Sequence, residues 1–272
     1  MRAMTWMAAA LAAALAGPGS AAAQETWRGA DLSSTDFSDA ILRGVDLAYA
    51  NLEGVNLEGA NLEGANLEGT YLSGADLSIA DLAGVQLRGA HLADADLSGT
   101  DLSGADLVVA NLADADLTGA NLSAADLTVA HLSSADLTGA DLTGADLTGA
   151  YFYSADLADA DLIDANLTGA DLIDANLFAA DLEGADFSSA NLSSADLADA
   201  IFIIANFIDA NLIDANLEGA YLEDARLYGA TGLTQEMLRS ARPSPPPSSL
   251  PEGLSWPFEE GEDGVWRLKP TE

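Results

Sequence analysis

An all-β fold, a parallel β-helix whose coil has four sides, is what this 272-residue sequence predicts. Three observations predict it. A five-residue repeat keeps one register from Ala30 to Gly229, two of its positions carry small and large aliphatic side chains, and its exceptions share a twenty-residue phase.

The repeat comes first, because a fixed period sets the architecture. Residues 30–229 divide into 40 consecutive units with no insertion or deletion, as in "ADLTGADLTGADLTGA" at 135–150. The third residue is Leu in 35 units and Phe in the other five (Phe37, Phe152, Phe187, Phe202 and Phe207). The first is Ala in 34 units and Val or Thr in six; the second is Asp in 19 and Asn in 12. In an α-helix a five-residue step moves each Leu about 140° around the axis, so no single face would be apolar. In a straight strand an odd step sends successive Leu to opposite faces. A chain that runs extended for three residues and then turns a corner puts positions one and three inside and the rest outside. Position five is mostly Gly, Asp or Ser, residues that suit turns. Asp or Asn at position two can bond back to nearby backbone amides.

The exceptions set the number of sides. Nine units lack Asp or Asn at position two, and seven of the nine fall on one phase of a ten-residue period. Tyr71, His91, His131 and Tyr151 share one phase of twenty; Ile41, Ile201 and Tyr221 share the opposite one. Four units to a coil keeps each group in line and stacks Phe187 on Phe207. Forty units then make ten coils, a rod of about 48 Å at the ~4.8 Å strand spacing.

The segments outside the repeat follow in chain order. Arg2, the apolar stretch Met4 to Ala16 and the small residues Ala21-Ala22-Ala23 have the form of a signal peptide over 1–23, cleaved after Ala23. That apolar stretch is too short to span a membrane, so the expected location is periplasmic or secreted. Residues 24–29, with Trp27, form an N-terminal cap, since a solenoid exposes core and backbone at its ends. Beyond the repeat, 230–242 holds a short capping helix, Gln235 to Ala241, with Thr234 at its N-cap and Met237 and Leu238 toward the last coil. The Pro/Ser run at 243–250 reads as a stiff, solvated linker. The tail, 251–272, carries Trp256, Phe258 and Trp266 and either folds back as a lid or binds a partner.

Tandem A-(D/N)-L-x-x units, such as "ANLEGANLEG" at 60–69, resemble those of the pentapeptide-repeat proteins over 200 of the 272 residues. The resemblance implies a right-handed quadrilateral parallel β-helix, with position three and the residue two before it pointing inward.

Composition narrows the function. Acidic residues number 44 against 9 basic ones, a formal charge of −35, and Cys is absent. Phosphate binding needs clustered Lys and Arg, so nucleic acid is not the expected partner. Such acidity suits basic proteins, cations or solubility. Catalytic motifs are absent: no P-loop, no G-x-G-x-x-G and no H-E-x-x-H. No cofactor and no catalytic residue is expected. His91 and His131 fall two coils apart, about 10 Å, too far to share one zinc ion.

Two surface features rise above the pattern. Asp76, Asp96, Asp116, Asp136 and Asp156 fall twenty apart and form a ladder of like charges. Neighbours at ~4.8 Å repel by about 0.9 kcal/mol in water, so the ladder is neutralised by cations such as Ca2+, partly protonated, or used as a charged face. Ile163, Ile173, Ile203, Ile208 and Ile213 occupy outward positions in the C-terminal third, with Phe178 and Ile204. As a cluster they suit contact with the tail, another protein or a second copy, giving a homodimer through the C-terminal region.

The expected function is therefore non-enzymatic: an exported acidic scaffold that binds a protein not named by the sequence. The family resemblance supplies an alternative, because some pentapeptide-repeat proteins mimic DNA and bind gyrase, a type II topoisomerase. The repeat holds 36 acidic residues and 3 Arg, leaving −33. Over about 48 Å that is one charge per ~1.5 Å, against ~1.7 Å in duplex DNA. A divalent-cation-binding surface is the third reading.

Overall fold

A computed structural model describes residues 27–261 and 265–269 of the chain. The expected signal peptide and the start at Gln24 lie outside the described residues. From Asp31 to Asn211, every position-two residue pairs in parallel with the residue twenty further on along four columns, as in Asp31 with Asn51 and Asp36 with Asn56. Four units therefore complete one turn of the coil.

Each amide of a unit has a distinct destination. The position-three amide donates to the next coil (Leu32 N to Asn51 O, 2.7 Å), and the position-two amide donates to the previous one (Asn51 N to Ala30 O, 2.8 Å). Position five also bonds to the next coil, and position one closes a turn onto position three (Ala40 N to Phe37 O, 3.0 Å). Only the position-four amide lacks a backbone acceptor, and the side chain at position two supplies one. All 31 Asp and Asn residues at that position accept a hydrogen bond from the amide two residues on. Asp and Asn dominate position two because they complete the backbone's hydrogen bonding.

The corner requires positive φ at position five, and all 40 such residues have it. Glycine meets that demand at no steric cost. Ile79 (φ 53°), Val109 (53°), Val129 (57°) and Ile204 (55°) meet it against the preference of β-branched side chains.

The interior is a single apolar column of position-one and position-three side chains, nearly all buried. Phe187 and Phe207 stack at 4.9 Å with their planes 3° apart, and Phe202 meets both edge-on. Thr70 and Thr100 replace Ala in this column, and each hydroxyl donates to the carbonyl three residues back (Leu67 and Leu97).

The ends differ from the sequence expectation in three ways. Trp27 occupies a position-three slot of one further unit upstream, its amide bonded to Asp46 O at 2.7 Å and its ring stacked on Phe37. The stretch 243–250, expected as a solvated linker, is instead packed on the last coil. Gly219, Asp224 and Leu227 have no further coil to donate to, so they donate to the carbonyls of Ser240, Pro246 and Ser249. Unpaired edge donors recruit the proline-rich segment, which has fixed φ and little entropy left to lose. Helix α1 (Gln235–Ser240) is N-capped by the Thr234 hydroxyl and buries Leu238. The tail also contains more order than expected: strands β1 (Phe258–Glu260) and β2 (Trp266–Leu268) pair antiparallel. Trp256 and Phe258 are buried, and the Trp256 indole donates to Ser244 O at 3.0 Å. The end of the last coil is covered by the chain's own tail.

Candidate interaction surface

The outward positions form columns that run along the rod, because the bridged register aligns every twentieth residue. Asp76, Asp96, Asp116, Asp136 and Asp156 are consecutive bridge partners and form one such column. The Oδ1 of each is already engaged. In Asp76, Asp96, Asp116 and Asp136 it accepts from both the amide and the hydroxyl of the Ser or Thr two residues on. Asp156 accepts from the Ala158 amide and, at 2.9 Å, from the Asn176 side chain of the next coil. Among the described residues, no group of three or more His, Asp or Glu is placed to hold a metal ion.

The isoleucines are distributed over three corners rather than gathered in one patch. Ile163 and Ile203 lie on one corner with Glu183 between them; Ile173 and Ile213 lie on another with Ser193 between them; Ile208 lies on a third. A five-residue unit moves one side round the coil, so neighbours in sequence face different directions. Of the five, only Ile213 is largely exposed, at 48%.

A second column runs beside the Asp ladder: Tyr71, His91, Asn111, His131 and Tyr151, again consecutive bridge partners. Its rings stack in pairs, Tyr71 on His91 at 4.8 Å and His131 on Tyr151 at 4.6 Å. One corner away, the position-five column reads Tyr49, Gly69, Gly89, Val109. Where the two columns adjoin, at their N-terminal ends, lies an open groove of about 390 Å³, lined by Tyr49, Glu68, Gly69, Tyr71, Arg88, Gly89, His91 and Val109.

Its walls have a definite chemistry. The Tyr49 hydroxyl donates to Glu68 Oε1 at 2.7 Å, and that bond, with the carboxylate's charge, raises the phenol above its ordinary pKa. The Tyr49 ring lies over Gly69, where a Cβ would stand 2.7 Å from it; above Gly89 a Cβ would meet nothing within 4 Å. The groove is therefore closed by tyrosine over one glycine and open over the next. Arg28 sits over the other side of the Tyr49 ring, 5.4 Å from its centroid, and pairs with Asp46. Tyr49, Arg88 and Val109 escape the sequence reading because no five-residue pattern singles them out; aligning positions two, four and five by twenties does.

Elsewhere the electrostatics are those of a solvated acidic surface. The Asp31 carboxyl lies below its ordinary value through the Ser33 hydroxyl and amide, and Asp36 through those of Ser38. At Asp186, burial pushes the carboxyl up, but bonds from Ser188 and Asn206 outweigh it and the net shift is down. Among the described residues no helix is long and apolar enough to cross a membrane.

Fold and surface define a class: a four-sided parallel β-solenoid built from five-residue units. The family model for pentapeptide repeats matches the chain in successive segments from 26 to 231, so the chain belongs to the pentapeptide-repeat family. It is similar to the crystal structure of HetL from the cyanobacterium Nostoc sp. strain PCC 7120, a pentapeptide repeat protein involved in heterocyst differentiation regulation. Identity is 38% over 74% of this chain and 89% of that one, with a TM-score of 0.53. The pentapeptide repeat protein Rfr23 of the cyanobacterium Cyanothece 51142 is 34% identical over 37% of this chain and 58% of its own (TM-score 0.26). The plasmid-mediated fluoroquinolone resistance protein QnrB1 is 16% identical over 70% and 82% (TM-score 0.37). No match is found among curated proteins.

Proposed function

We propose that the protein is a non-enzymatic, exported acidic scaffold, a rigid rod that presents columns of side chains at fixed spacing to a basic face of a protein partner. The observation that carries this reading is the unbroken pairing of each unit with the one twenty residues on, from Asp31 to Thr231. A surface held by so continuous a backbone ladder changes little on binding, so association loses little conformational entropy. The net charge of −35 adds long-range attraction for a basic partner. In this proposal the rod winds right-handed through ten coils, as the family resemblance implies. Export rests on Arg2, the apolar stretch from Met4 to Ala16 and the small residues before Gln24. HetL offers a precedent for a related rod that serves in regulation.

Mass spectrometry of the native protein, combined with cross-linking in the cell, tests the proposal. The expected result is a mature start at Gln24, recovery from the periplasm or medium, and cross-links from the rod's sides to a basic protein. Recovery from the cytoplasm starting at Met1, cross-linked to a type II topoisomerase, would instead establish the DNA-mimic reading.

A further inference from the structure

We propose that the corner groove between Tyr49 and Val109 binds a small aromatic zwitterion, the chemical class of the free aromatic amino acids. The strongest sign is an ion pair that does not form. Arg43 and Glu63, one coil apart, pair at 2.6 Å. Glu68 and Arg88 stand in the same one-coil relation on the next side, yet Glu68 is turned to the Tyr49 hydroxyl. The Arg88 side chain has neither ion pair nor hydrogen bond among the described residues. Tyr49 thus holds an anion and a cation apart on one wall of the groove.

That arrangement suits a ligand carrying both charges. A guanidinium presents a planar fork of donors to a carboxylate. The Glu68 carboxylate, bonded once, keeps lone pairs free for an ammonium. A ligand bearing only a carboxylate would be repelled by a chain of charge −35, whereas a zwitterion carries no net charge. Tyr71 and His91 on the opposite wall and Val109 at the end offer aromatic and apolar surface to a ring, and Gly89 leaves the floor open. At about 390 Å³ the groove lies at the small end of ligand sites, which span roughly 300–1,000 Å³. The corner holds Val109 at φ 53° while its side chain is 47% exposed, a backbone conformation that valine avoids and that glycine adopts at many of the other corners.

Calorimetric titration of the full chain tests this with three probes: L-tryptophan, indole (the ring without charges) and glycine (the charges without the ring). The expected result is saturable one-site binding of L-tryptophan, with indole and glycine each at least tenfold weaker. Arg88→Ala and Glu68→Gln should each weaken L-tryptophan binding about tenfold, as loss of one charge-assisted bond does. Both variants should keep the parent melting temperature, and Arg43→Ala should leave binding unchanged. The proposal is overturned if L-tryptophan, L-tyrosine and L-phenylalanine all fail to saturate. It is equally overturned if indole binds as tightly as L-tryptophan, or if both groove variants bind like the parent.

Discussion

Two neighbouring columns on the same five coils solve one problem in opposite ways. From 76 to 156 the ladder is all Asp, and each carboxylate turns inward on its own unit to cap the position-four amide. From 71 to 151 the column is Tyr, His, Asn, His, Tyr; its rings ignore their own units and stack along the rod. The amides of Ser73, Ala93, Ser133 and Tyr153 consequently have no protein acceptor among the described residues. Position two is thus free to serve either the local turn or its neighbours above and below. None of the four residues is buried, so solvent can take the place of the missing acceptor.

Both columns hang on one interior, so the largest effect comes from damaging it. Leu142 is fully buried, and Leu142→Asp should lower stability by several kcal/mol by burying an unpaired carboxylate. Thr143→Asp, one residue outward, should change it by less than about 0.5 kcal/mol. Denaturant unfolding of the two variants measures the gap.

Corner strain is next in size. Ile204→Gly should stabilise the rod by about 1 kcal/mol, because a left-handed conformation costs a β-branched residue roughly 1–2 kcal/mol and glycine almost nothing. A thermal melt showing destabilisation would mean that the Ile204 side chain, 52% exposed, makes contacts that outweigh the strain.

Double-mutant cycles then compare the columns directly. Tyr71 with His91 should show favourable coupling of about 0.5–1.5 kcal/mol that salt barely changes. Asp76 with Asp96 should show coupling of the opposite sign, up to about 0.9 kcal/mol, fading as salt is added. The smallest effect sharpens the same point. Asn residues elsewhere donate across coils to Asp, as Asn61 does to Asp81 at 2.8 Å and Asn216 to Asp196 at 2.9 Å. Asp116→Asn should therefore raise stability by a few tenths of a kcal/mol, through one such bond and the loss of two repulsions.

Much of this was legible in the sequence. Leu and Ala at fixed positions announce the interior, and the phase of Tyr71, His91, His131 and Tyr151 announces the side on which they lie. Phe187 and Phe207 stack because twenty residues return the chain to the same place. The C-terminal cap was less legible, since Ser244, Pro246 and Ser249 look solvated until the last coil's donors are known to lack partners. The isoleucines look clustered in the sequence and lie on three corners in the structure, because nearness along this chain is not nearness in space. The groove was hidden for the same reason: Tyr49, Arg88 and Val109 are 39 and 21 residues apart in the sequence and meet only through the register.

Amide hydrogen exchange resolved to single residues tests the contrast between the columns most directly. The amides of Ser78, Ser98, Thr118 and Thr138, each capped by the Asp before it, should exchange at least about tenfold more slowly than those of Ser73, Ala93 and Ser133 on the same coils. Equal rates in the two sets would contradict the role assigned here to position two, and with it the reason that Asp and Asn fill 31 of the 40 units.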